Sequence, residues 1–147
     1  MQSFSIQTEP ENLEEELKAL KDKNPSVLVV FSSRKILEEK SVLKTIANAF
    51  PDAEMVGCST SGEIGEGVED DSVSLMGMSF EKTQVKCVTV PFKDVSESQE
   101  TGAKIAQALM ADDLKGVFVL SPGLNVNGSK LIKGLKQNLP NTVSVSG

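Results

Sequence analysis

The sequence predicts an α/β domain with a mostly parallel sheet, flanking helices and an antiparallel hairpin in the middle of the chain. Val27 to Phe31 and Val117 to Leu120 are continuous apolar runs without alternation, the pattern of strands covered on both faces. Stretches with apolar residues at helical spacing lie between such runs, the order of a sheet wound with crossover helices. Val73 to Phe80 and Val85 to Val90 are joined by Glu81-Lys82-Thr83-Gln84, a spacing that suits the hairpin.

The elements follow in order. Thr8-Glu9-Pro10-Glu11 has the form of a capping box with proline in the first turn, and Leu13, Leu17 and Leu20 recur on one face, so a helix is expected from Glu9 to Lys23. Its glutamates come early and its lysines late, as the helix dipole favours, and Asn24-Pro25 stops it. After Ser32-Ser33, a helical stripe of Ile36, Leu43, Ile46, Ala47 and Phe50 ends before Pro51. Glu54 to Cys58 reads as a short strand, and Gly77 inside the next run marks a bulge or a close backbone approach. Ser96-Glu97-Ser98-Gln99 is a second capping box, ahead of a helix buried through Ala103, Ala106, Leu109 and Met110. Gly128 to Leu139 packs through Leu131, Ile132, Leu135 and Leu139, and Val143-Ser144-Val145 forms a last strand. A strand ending at the final residues is expected of a single domain over 1–147, truncated at its C-terminal end and exposing apolar surface that a continuation would cover.

Composition narrows the function. The 147 residues, 39% hydrophobic and 24% charged, suit one domain with a real core. Fifteen basic against 21 acidic residues give a net charge of −6, which repels phosphate backbones and anionic lipid, so neither nucleic acid nor membrane is an expected partner. No apolar run approaches the roughly 18 residues of a membrane span. Met1 to Thr8 lacks the features of a signal peptide, so a cytoplasmic location is expected. The absence of histidine removes Ser-His-Asp and Cys-His catalysis, an imidazole base and His-based zinc sites. Cys58 and Cys87 fall outside any C-x-x-C spacing and read as buried thiols rather than a bridge. No metal or other cofactor is expected.

Each buried strand leads into a small, hydroxyl-rich segment. Ser32 and Ser33 come after the first, Cys58, Ser59, Thr60, Ser61, Gly62 and Glu63 after the second, Ser121, Gly123, Asn125 and Asn127 after the third, and Ser146-Gly147 after the last. In open α/β sheets ligands settle beyond the carboxyl ends of the strands, where hydroxyls and free backbone N–H groups suit a carboxylate, a phosphate or another small polar group. The twelve residues from Ser32 to Asn127 just named are therefore the candidate ligand-binding set. The same residue types also make ordinary turns. Arg34, the chain's only arginine, could clamp a carboxylate from just past Ser33.

Gly57 to Gly65 is the densest of these loops. A Walker loop needs lysine where Glu63 stands, and a nucleophile elbow needs a glycine where Ser61 stands and a histidine to activate Ser59. A phosphatase-type cysteine loop needs an arginine soon after Cys58, and none occurs through Gly67. A cysteine-dependent enzyme would thus lack both its base and its anion-holding cation, and the expectation is a protein that is not an enzyme. A non-catalytic interaction or scaffold module, whose loops are only turns, is the alternative to a ligand-binding domain.

Four stretches, Val27–Ser33 (VLVVFSS), Ala49–Gly67 (AFPDAEMVGCSTSGEIGEG), Ser72–Phe80 (SVSLMGMSF) and Gly116–Gly147, resemble in order and spacing the N-terminal part of the FIST domain, named for F-box and intracellular signal transduction. The octet from Gly57 to Ile64 is the most specific piece. The resemblance implies a sensory input module that binds small ligands such as amino acids and works with a signalling output module or partner protein. It also implies further sequence and a C-terminal part beyond this stretch, and it carries no catalytic residues over.

Overall fold

Gln2 to Thr8 alternates polar and apolar residues, with Phe4 and Ile6 on one side, and this stretch, which sequence patterning left unassigned, forms the first strand β1 (Gln2–Thr8) in the computed structural model. The structure describes residues 1–64, 68–69 and 71–147. They divide into two units, Met1–Val85 and Lys86–Gly147.

In the first unit β1 is followed by α1 (Leu13–Ala19), β2 (Val27–Ser33), α2 (Arg34–Glu39), α3 (Ser41–Ala49), β3 (Glu54–Thr60), the short strands β4 (Glu63–Ile64) and β5 (Val68–Glu69), and β6 (Val73–Ser79). The main sheet has the order β1-β6-β2-β3, and of its three pairings β2–β3 alone is parallel. The expected mostly parallel sheet is therefore corrected to a mixed, mostly antiparallel one. The hairpin expected between Val73–Phe80 and Val85–Val90 also fails, because β1 and β2 occupy both edges of β6 and leave none for a third strand; residues 85–90 form no strand. Among the described residues, β4 and β5 form a short antiparallel pair.

The core explains the placement. Leu28 and Val30 of β2 and Val73 and Leu75 of β6 point to the same side as Leu13 and Leu17 of α1, Ile36 of α2 and Val42, Ile46 and Phe50 of α3, and all ten are buried. The three helices thus cover one face of the sheet. On the other face Val29 and Phe31 are half-buried, which accounts for the unbroken apolar run in β2. Gly77 is a site of close approach, as its place in the run suggests, since an added Cβ would lie 2.2 Å from the Phe4 ring.

Helix boundaries differ from the sequence expectation for local reasons. Thr8 belongs to β1, and its hydroxyl donates to the Glu9 carbonyl instead of capping a helix, so α1 begins only at Leu13. A single 3-10 turn over Lys21–Lys23 then leads to Asn24 in the left-handed region at φ 42°. The stripe after Ser33 is two helices, α2 and α3, because Lys40 takes φ 58° and breaks the hydrogen-bond ladder between them.

The second unit contains α4 (Ser98–Leu109), β7 (Gly116–Phe118), α5 (Gly128–Asn138) and β8 (Ser144–Ser146). Here β7 and β8 pair in parallel, Val117 opposite Val145, as a strand-helix-strand crossover requires. The box at Ser96 to Gln99 does not cap α4. Instead Asp94 accepts hydrogen bonds from the Ser96 hydroxyl and backbone N–H, which hold its carboxyl below the usual range, while the Ser98 hydroxyl donates to the Val95 carbonyl. Ala106, Val117, Leu131, Leu135, Leu139 and Val143 form a separate core. Among the described residues no helix is long and apolar enough to cross a membrane.

Candidate functional site

The parallel register of β2 and β3 places Phe31 opposite Cys58, Ser32 opposite Ser59 and Ser33 opposite Thr60, so the hydroxyl-rich ends of the two strands lie side by side. Because β6 runs antiparallel to β2, its amino end starts at the same level, with Val73 opposite Ser32. That brings Asp71 and Ser72 to the carboxyl end of the parallel pair. Ser32 is fully buried, and its hydroxyl donates to the Ser72 carbonyl at 2.6 Å. Ser33 is half-exposed and donates to Asp71 Oδ1 at 2.9 Å, Thr60 donates to the Ser32 carbonyl at 3.5 Å, and Gln7 Nε2 reaches the Ser72 hydroxyl at 3.2 Å.

Gln7, Asp71 and Ser72 therefore join the cluster, and sequence reasoning missed all three. The available signal was the polar step from Asp71-Ser72 into the apolar run at Val73, but it marks this corner only once β6 is known to be antiparallel to β2. Ser32 and Ser72 are spent on holding the strand ends together. Ser59 and Ser61 are exposed, and Ser33 and Thr60 are half-buried. Asp71 adopts φ 62°, a left-handed conformation that aspartate tolerates better than most residues. Gly62 has φ 153°, which side chains with a Cβ rarely adopt, so glycine is the residue that the turn out of Ser61 accepts. The backbone of Glu63 begins β4, and its side chain lies outside the described part.

We expect Ser32→Ala to lower stability by about 1–3 kcal/mol, since it removes the buried hydrogen bond from the Ser32 hydroxyl to the Ser72 carbonyl. Urea unfolding measures this, and an unchanged midpoint would show that the bond contributes nothing.

The remaining candidates lie in the second unit. Ser121, Gly123 and Asn125 are exposed, and a Cβ added to Gly123 would meet nothing within 4 Å, so no close approach demands glycine there. Asn127 serves the fold directly, since its Oδ1 accepts from Lys130 N at 3.0 Å and caps α5, while its own backbone N–H donates to the Ser98 hydroxyl at 3.0 Å. Ser146, at the end of β8, accepts from Val119 N.

Arg34, with its side chain 82% exposed, pairs with Glu38 at 2.7 Å, and this hydrogen bond and charge raise its guanidinium pKa. Among the described side chains, Asp71 supplies a carboxylate at the β2–β3 end, bonded to Ser33. Cys58 and Cys87 are half-buried and form no disulfide, and no group of three or more acidic or cysteine side chains among the described residues could hold a metal ion. At the opposite, amino ends of β2 and β3 lies an open groove of about 800 Å³ that includes Lys21, Ser26, Phe50, Asp52 and Glu54. None of the twelve candidate residues lines it, and the Ser26 hydroxyl there already accepts from Phe80 N.

No curated protein and no solved structure matches the chain. A family model described as the FIST N domain matches residues 26–147. The match starts just before β2 and leaves out β1 and the segment that supplies Leu13 and Leu17 to the core. It runs through the β2–β3 end, the β6 strand and the whole second unit, and on that match the chain belongs to the FIST N-domain family, a domain associated with signal transduction.

Proposed function

We propose that this chain is a sensory input domain that binds a small polar ligand at the carboxyl ends of β2 and β3 and does not catalyse a reaction. One observation carries the reading: the parallel pair of the main sheet ends in Ser33, Ser59 and Thr60, with Ser61 next in the chain and Asp71 bonded to Ser33. Family membership supports it, since the domain is associated with signalling. The ligand class is an amino acid or another small carboxylate. Asp71 would attract a protonated amine, and a carboxylate would rely on backbone N–H groups of the turn after Thr60. The signal passes to an output module or a partner protein, and the site of action is the cytoplasm.

A thermal-shift screen of amino acids, small carboxylates and nucleotides tests this. A ligand at about 100 times its dissociation constant adds about 2.7 kcal/mol to stability. The reading expects a shift from at least one amino acid or carboxylate, and a set of flat responses across both classes would contradict it. Cys58→Ala is expected to keep that shift, because Cys58 has no histidine to act as its base and serves as a wall of the strand end. Loss of activity on a thioester together with selective alkylation of Cys58 would overturn the non-catalytic reading.

A protein-interaction module is the second reading, favoured by Phe118 and Leu124, which are 54% and 94% exposed in the second unit. The same screen separates the two, since an interaction module gains no stability from small molecules.

A further inference from the structure

We draw no further inference here: the strongest candidate, the bare outer face of the β7–β8 pair with Gly116, Phe118, Ser144 and Ser146 exposed, is an unpartnered sheet face, and nothing in the structure shows what covers it.

Discussion

Gly134→Val is expected to destabilise the second unit by about 1–3 kcal/mol. The α4 and α5 helices approach through two glycines: an added Cβ at Gly102 would lie 2.2 Å from the Leu131 carbonyl oxygen, and one at Gly134 would lie 2.0 Å from that of Gln99. Both obstacles are backbone, so no side chain can rotate away. The helices would have to separate, pulling apart a core in which Leu135 is fully buried and Ala106 has no exposure. Helix propensity argues the other way. Removing a glycine from a helix interior gains up to about 1 kcal/mol, so a freely exposed helix would be stabilised by the change. The sign of the effect thus decides between packing and propensity. Hydrogen exchange read separately on α4 and α5 should show lost protection in the variant, and unchanged protection would mean that the helices are not in close contact at this point.

Leu75→Ala carries the second large effect, a loss of about 2–5 kcal/mol. Leu75 sits on the central strand β6, pairs with Ile6 of β1 and Val30 of β2, and has no exposed surface. Its neighbour Met76 points to the other face and is 45% exposed, so Met76→Ala should stay within about 0.5 kcal/mol, as surface changes do. The pair tests register as well as burial. A slip of one residue along β6 would exchange the two side chains between the faces, and the two costs would exchange with them. Denaturant midpoints for both variants are sufficient, and equal losses would contradict the assigned register.

These residues also show how much could be read in advance. The unbroken run Val27–Phe31 identified β2 as a central strand, because its half-buried second face removes the polar alternation that would mark an exposed one. Strand direction left no comparable trace. The apolar pattern of Val73–Ser79 is the same whether its neighbour is β1 or a following hairpin arm, and only the pairing with Gln2–Thr8, far earlier in the chain, decides it. Phe4 and Ile6 were the available clue, two apolar residues in a short polar stretch. Lys40 breaks the helix after Ser33 without glycine or proline, so propensity rules had nothing to detect.

The candidate site was legible in the same partial way. Strand ends rich in serine and threonine located Ser32, Ser33, Ser59 and Thr60, and the register of β2 against β3 brings them together. Which hydroxyls are spent on structure depends on burial and on the antiparallel neighbour, and for that reason Ser32 and Asn127 read as ligand residues when each already serves the fold. Asp71 and Gln7 enter the cluster through β6 and β1, the two strands whose relation the sequence did not display.

The central claim is that a small ligand binds where β2 and β3 end. Its most direct test is a calorimetric titration of a ligand found in the screen into the wild type, Gly62→Val and Lys18→Ala, each shown to be folded by circular dichroism. Gly62 holds φ 153° at the rim of the site, so valine there must shift the turn, whereas Lys18 is exposed and its ion pair is with Glu14. The account predicts affinity weakened at least tenfold in Gly62→Val, about 1.4 kcal/mol or more, and wild-type affinity in Lys18→Ala. Unchanged binding by folded Gly62→Val would contradict it and place the ligand elsewhere on the protein.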